Sequence, residues 1–507
     1  MRLNIVIGGK AGQGINKVSE IVSQTLTNQG YFTFNYRDYP SIIRGGHNFN
    51  ILSISDKKIE SHESKLDGIV AMDDNTIKVH EKALKKDSFV IKPDNFLEFG
   101  RNLNVALAGA LIKILGIDKK ILIEEIKEQL NNPESLKAAE KGYESQTKKF
   151  DLKKLNNKIT ILSGSKAVTQ GAINSGIDIY FAYPMTPATP VLHELASEQL
   201  KHNCLVFQNE NEIAVANAAL GASFSGAKVM VGTSGGGYDL MTEALSLQGM
   251  TEIPLVVYLA SRAGPATGIP TYTMQNDLGI ALYGGHGEFP RVVIAPGNPI
   301  EAIEITNHAF YLAEKFNTAS IILSDKHLAE SEFSSEEKPS KPLKIKIERP
   351  IPGEKKVVKA SSYESDKYGY STEDPFLAKK NADERIKRYE EIKKECKKFE
   401  MIKFHGKKDS KNLIIGWGST SGAIKDAIQD LDAKFLQVLY LKPLSDEIKE
   451  QMQKAKKIIL VEGNVTGQLG RLLREKTGIS IKNRILKYDG RPFRSDELKE
   501  EIREVLE

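Results

Sequence analysis

Three prolines fall within eight residues in Tyr183-Pro184-Met185-Thr186-Pro187-Ala188-Thr189-Pro190. Proline lacks an amide donor, fixes φ and disfavours helix in the residue before it, so neither a helix nor a paired strand can cross this stretch. Its flanks are regular: Asp178 to Ala182 reads as a short buried strand and Val191 to Leu200 as an amphipathic helix. A stiff turn between a strand and a helix lies where open α/β sheets place ligands. It would hold its threonine hydroxyls on rigid backbone, suited to a small polar substrate. A Pro-rich loop that only punctuates two elements is the plainer alternative.

The same pattern recurs downstream. A strand at Cys204 to Gln208 leads through Asn209-Glu210-Asn211 to Glu212, which opens a helix over Ile213–Ser223. That helix is nearly all small or apolar, which predicts burial almost all round. A carboxyl at such a helix start either complements the helix dipole or is held in a dry site to share a proton. The strand Lys228–Gly232 ends in the loop Thr233-Ser234-Gly235-Gly236-Gly237-Tyr238, before a helix over Asp239–Gly249. The strand Pro254–Ala260 runs into Ser261-Arg262-Ala263-Gly264-Pro265-Ala266-Thr267-Gly268-Ile269-Pro270-Thr271. Successive strands thus aim polar, glycine-rich loops at one edge, where backbone without Cβ atoms admits close ligand approach.

These segments resemble the pyrimidine-binding domain in the α subunit of 2-oxoacid:ferredoxin (or flavodoxin) oxidoreductases, which use thiamine diphosphate. The resemblance rests on Tyr183 to Ala188, Glu210 to Ala214, Thr233 to Gly237, Thr251-Glu252-Ile253-Pro254 and Gly264 to Thr271, in that order. Towards the amino terminus, Gly9 to Gly14, Tyr39-Pro40, Arg44-Gly45-Gly46 and Ser53 to Asp56 resemble the family's γ domain. Towards the carboxyl terminus, Gly416 to Thr420, Val461 to Leu469 and Tyr488 to Phe493 resemble a transketolase carboxyl-terminal domain, and Ser362 to Pro375 a family linker. The implied fold is α/β, with three α/β/α domains. These are a γ-type domain (1–150), a pyrimidine-binding domain (155–330), a linker with an amphipathic helix (331–405) and a transketolase-like domain (410–507).

The resemblance also implies an activity: coenzyme A-dependent oxidative decarboxylation of a 2-oxoacid, 2-oxoglutarate or pyruvate, to acyl-CoA and CO2, with electrons passed to ferredoxin. Thiamine diphosphate supplies the carbanion chemistry of such reactions. Glu212 falls at the carboxyl that hydrogen-bonds its aminopyrimidine ring, and Thr186 on the turn that meets the substrate carboxylate. Ser234, Gly235 and Gly237 are implied for cofactor binding. Tyr183, Arg262, Thr267 and Thr271 are implied for the substrate, and Arg44, Gly45 and Gly46 for coenzyme A access. Two departures leave substrate choice open: Tyr272 stands where the family often carries Arg or Lys, and Gly236 where it carries proline. An aryl-pyruvate (indolepyruvate-type) oxidoreductase and a non-catalytic assembly subunit remain as alternatives.

Cysteine content bounds the rest. Two cysteines, Cys204 and Cys396, fall short of the four thiolates an iron–sulfur cluster normally takes. No Gly-Asp-Gly signature for a Mg2+–diphosphate site is present either. The resemblance therefore assigns Mg2+ and a 4Fe-4S cluster to a β subunit, in an αβ or (αβ)2 assembly, and no metal to this chain. Cys396 shares a helical face with Ile386, Tyr389, Ile392 and Phe399 and is expected in the core. The net charge of +5 is spread without a basic block, so nucleic acid is not an expected partner. No apolar run approaches the roughly 20 residues that span a bilayer, and the first residues enter a strand at once. A cytoplasmic protein without a signal peptide or membrane contact is expected.

Overall fold

The computed structural model describes residues 1–42 and 45–507, in which the strands form three sheets. The chain divides into two compact units: residues 1–162, 331–337 and 493–500 form the first, and 163–330, 338–492 and 501–507 the second.

The first unit is built on a mixed sheet, in the order Leu84–Ile91, Leu66–Ala71, Arg2–Gly9, Asn48–Ser55, Phe32–Asp38, Glu332–Ser335, Thr160–Ser163. The first strand pairs parallel with Leu66–Ala71 and antiparallel with Asn48–Ser55. The helix Ile15–Asn28 follows the glycine turn Gly9 to Gly14, and Leu103–Leu115 packs its almost wholly buried length into the same core.

The second unit holds two sheets over one hydrophobic core, in which Val231, Val257 and Ile321 from one meet Trp417, Leu436 and Leu460 from the other. The larger sheet runs in the order Tyr440–Lys442, Arg291–Ile294, Ala319–Asp325, Leu255–Ser261, Val229–Thr233, Ile179–Ala182, Leu205–Gln208. All its pairs are parallel except the first. From Ile179–Ala182 the chain steps outward to Leu205–Gln208, then returns across it to Val229–Thr233. This reversal of strand order opens a crevice outside the carboxyl ends of two neighbouring strands, at the turns after Ala182 and Thr233. The smaller sheet (Ile402–Gly406, Lys434–Val438, Asn412–Trp417, Lys457–Glu462, Asn483–Leu486) is parallel but for its first strand.

Three local expectations change. The helix Glu212–Phe224 is not buried all round: Ile213, Asn217 and Gly221, spaced by four, are exposed, and a Cβ on Gly221 would meet nothing within 4 Å. Small apolar composition makes such a face indistinguishable from a core face by sequence. Gly235, Gly236 and Gly237 form the first turn of a helix, Gly235–Leu240, rather than a loop. In the helix Pro375–Cys396, Ile392 and Cys396 are buried as expected, but Ile386 is 65% exposed because the amino-terminal turns of this long helix carry charged residues on every side. Burial pushes the Cys396 thiol up to about 12, which makes it an inert core residue.

Candidate functional site

The Pro-rich turn ends β-structure at Ala182 and starts the helix Thr189–His202 with Pro190 in its first turn, where a missing amide costs nothing. The Thr186–Pro187 peptide is cis. Arg262, at the end of the strand Leu255–Ser261, reaches across and donates from Nη1 to the Thr186 carbonyl at 3.0 Å. Its own carbonyl accepts from Asn276 Nδ2 at 3.1 Å. Two residues that the sequence assigned to the substrate are thus tied together, with the turn held from its far side.

Glu212 is 4% exposed. The helix is capped by Asn211, whose side chain accepts from the Ala214 amide at 2.9 Å. The carboxyl is left with one oxygen, Oε1, buried and without a hydrogen-bond partner. A buried polar atom left unpaired costs about 1–3 kcal/mol, and such atoms mark sites awaiting a partner. Gly237 lies directly against it: a Cβ there would fall 2.7 Å from Glu212 Oε1 and Cγ, and 2.1 Å from Thr233 Oγ1. The Ser234 hydroxyl is also buried and unpartnered. Glu212, Ser234 and Gly237 therefore form one small cradle at the crevice.

Asp277 is the member that sequence reasoning missed. It precedes the short helix Leu278–Tyr283 and reads there as an ordinary cap residue. In the fold its carboxylate sits over the first turn of Gly235–Leu240, where a Cβ on Gly235 would fall 2.5 Å from Oδ1. Burial raises its pKa to about 6, with the neighbouring Asp239 charge adding to the rise and Ser261 and Arg262 opposing it. Burial lowers the pKa of Arg262, which Asp277 and then Glu212 counter. The electrostatic core of the site is thus one half-buried guanidinium between two buried carboxyls.

The remaining residues spread outward. Thr271 is buried, while Thr267 is exposed and Tyr183 is 39% exposed at the rim. Tyr272 lies face-on to the Arg491 guanidinium, 3.6 Å from ring centroid to carbon. The loop is pinned to the smaller sheet's connections by Gln275, which donates to the Trp417 carbonyl (2.8 Å) and accepts from the Gly463 amide (2.7 Å). Glu462 proves structural: it accepts from Trp417 Nε1, Asn464 Nδ2 and the Leu469 amide, capping the helix Gln468–Thr477.

In the first unit, Gly45 and Gly46 have φ of 78° and 65°, which favours glycine. Arg44 lies outside the described residues. The Gly45 carbonyl accepts from Ala11 (3.3 Å), and Gln13 Oε1 from Lys10 (2.6 Å), so two amides of the glycine turn are engaged within the protein. His47 Nε2 is 2.8 Å from His80 Nε2, and burial holds both imidazoles below their usual pKa, His80 at about 4.

A largely parallel sheet with a crevice at its strand-order reversal, lined by a buried unpaired carboxyl and a glycine helix start, is the arrangement in which α/β folds bind ligands. The family model for the thiamine-diphosphate-binding part of pyruvate flavodoxin/ferredoxin oxidoreductases matches residues 170–400, and that for pyruvate ferredoxin/flavodoxin oxidoreductase matches residues 4–96. The 2-oxoacid:ferredoxin oxidoreductase subunit alpha of Sulfolobus sp is 30% identical, over 100% of this chain and 97% of that one. The 2-oxoglutarate synthase subunit KorA of Methanocaldococcus jannaschii is 32% identical over 62% of this chain and 90% of its own. In fold, the chain superposes along its whole length on 2-oxoglutarate:ferredoxin oxidoreductase from Magnetococcus marinus (TM-score 0.91, 24% identity, 100% of both chains). The chain belongs to the 2-oxoacid:ferredoxin oxidoreductase α subunits, an oxidoreductase family, and carries that family's thiamine-diphosphate-binding domain. No helix among the described residues is long and apolar enough to cross a membrane.

Proposed function

We propose that this chain is the α component of a coenzyme A-dependent oxidoreductase that decarboxylates 2-oxoglutarate in preference to pyruvate and passes the electrons to ferredoxin. The observation that carries the catalytic reading is the unpaired, buried Oε1 of Glu212 in a cradle whose glycines leave the carboxyl room. The residues present fit thiamine diphosphate: Glu212 would hold the aminopyrimidine, with Ser234, Gly235 and Gly237 beside it. The cofactor supplies the electron sink for decarboxylation. Glu212 presents its buried, unpaired Oε1 to the crevice, Arg262 offers a guanidinium for a substrate carboxylate, and Arg262 in turn fixes the Thr186 turn. The Asp277 and Glu212 charges favour that guanidinium in its charged form. The choice of 2-oxoglutarate is supported by the relatives named 2-oxoglutarate synthase and by the fold neighbour, which was solved with 2-oxoglutarate, coenzyme A and succinyl-CoA.

The site is completed, in this reading, by a β subunit that brings Mg2+, the cofactor's diphosphate site and the 4Fe-4S cluster. Two cysteines do not hold such a cluster. Exposed apolar residues on the helix opened by Glu212 (Ile213) and on the edge strand Leu205–Gln208 (Leu205, Phe207) provide the docking face. The test is co-expression with the adjacent β subunit and viologen reduction assayed with 2-oxoglutarate, pyruvate and indolepyruvate. A kcat/KM at least tenfold higher for 2-oxoglutarate is expected; higher values for either rival refute the substrate assignment.

A further inference from the structure

A second cavity lies in the second unit, away from the crevice. It has about 300 Å3 of internal space, at the lower end of ligand pockets. The carboxyl end of the helix Leu278–Tyr283, the helix Pro375–Cys396 and the loop after Tyr440–Lys442 enclose it. Its floor is apolar, with Leu282, Leu441, Pro443 and Leu472, and two aromatic rings, Tyr283 and Tyr389, stand in its wall.

Its charge is lopsided. Lys393, Lys442, Lys449 and Lys476 line it against two carboxylates, Glu390 and Asp446. Asp446 is already held by Lys393 and Lys397, each at 2.9 Å, and Lys476 pairs with Glu475 outside the lining. Lys442 differs from the others. It is largely buried, and its ammonium donates to the Leu282 carbonyl at 3.2 Å and lies 5.7 Å from the Tyr283 ring. A largely buried ammonium bonded to one carbonyl, over a ring and with Glu475 near but not paired to it, is under-compensated, since buried charges are ordinarily paired.

We propose that this cavity is a binding site for a small organic phosphate with a planar ring, of nucleoside monophosphate size. The phosphate would pair with Lys442, with Lys449 and Lys476 at the mouth, and the ring would lie on the apolar floor against Tyr283 and Tyr389. Burial, together with the nearby Arg291 and Lys476 charges, lowers Lys442 to about 8, and Glu475 counters this only in part. A bound dianion reverses that balance and draws a proton onto Lys442. The opposite end of the helix that supplies Leu282 and Tyr283 begins beside Asp277, so the two pockets share one structural element.

Titration calorimetry on the full chain tests this with AMP, adenosine, ribose 5-phosphate and inorganic phosphate. AMP is expected to bind one site per chain with a Kd of about 10–100 μM, worth roughly 5.5–7 kcal/mol. Each of the other three is expected to bind at least tenfold more weakly. At pH 8.5, AMP binding should take up protons, seen as a heat that changes with the buffer's ionisation enthalpy, and K442M should abolish that uptake. K442M and, without disturbing any buried group, K449M/K476M should each weaken AMP at least tenfold. No AMP binding at millimolar concentration overturns the proposal. So does unchanged affinity in K449M/K476M, or ribose 5-phosphate binding as tightly as AMP.

Discussion

Gly237→Ala separates the site's chemistry from the protein's stability. The added Cβ would fall 2.1 Å from Thr233 Oγ1 and 2.7 Å from Glu212 Oε1 and Cγ, against an ordinary contact of about 3.5–4.0 Å. Thr233 lies in a fully buried strand, so its hydroxyl can give way only by rotating about Cα–Cβ, and the 2.7 Å contacts require Glu212 to yield by about 1 Å. Overpacking of this kind costs roughly 1–3 kcal/mol. Replacing glycine in a helix returns up to about 1 kcal/mol. The net loss of about 0–3 kcal/mol lowers the melting temperature by only a few degrees. A 1 Å misplacement of a catalytic carboxyl costs about 100-fold in rate. Gly236→Ala is the control: a Cβ there meets nothing within 4 Å. Calorimetric melting and viologen reduction by the complex should show G237A folded but about 100-fold slower, with G236A near wild type in both. Wild-type turnover in G237A would refute the contact between this glycine and a working Glu212.

Asp277→Asn tests the second carboxyl. Its folded pKa, about 6, lies above the value of 3.8 in the unfolded chain, so the charged form opposes folding. That opposition is absent below about pH 4, grows between 4 and 6, and stays constant above 6, at about 3 kcal/mol at most. D277N should therefore raise the melting temperature at pH 8 and leave it nearly unchanged at pH 4, while slowing turnover. Arg349→Ala should cost about 3–5 kcal/mol in denaturant unfolding, because it leaves Glu314, already raised to about 7 by burial, without its ion-pair partner and frees the Ser223 carbonyl. Glu462→Ala strands the Trp417, Asn464 and Leu469 donors. At about 1–3 kcal/mol for each buried group, it should lower stability by at least 3 kcal/mol and shift the emission of Trp417, the sole tryptophan.

Much of this was legible in the sequence because the signals were local. The three prolines of 183–190 dictated a stiff turn, and the alternation of short apolar runs with Gly/Thr loops dictated a parallel sheet with its loops at one edge. The family resemblance singled out Glu212, Thr186 and Arg262, and the fold joins Arg262 to the Thr186 carbonyl. What stayed hidden was long-range. Nothing local in Asn276-Asp277-Leu278 reveals that its carboxylate lands on Gly235, about 40 residues upstream, because that closeness arises only once the strands pair. The open face of the helix after Glu212 was hidden for a different reason: Ala, Gly and Ile occur in cores and on exposed faces alike. The role of Glu462 and Asn464 depends on the Trp417 ring nitrogen, which lies on a separate strand.

In the proposed reaction Glu212 is the working carboxyl of a thiamine site. Steady-state 2-oxoacid oxidation by the α–β complex, compared between wild type and E212Q, tests it most directly, with melting temperature and β-subunit retention checked on the same samples. Gln is isosteric and fits the cradle but cannot exchange the proton, so kcat should fall by about 100-fold to 10,000-fold, with folding and assembly intact. An E212Q complex turning over within tenfold of wild type would contradict the account.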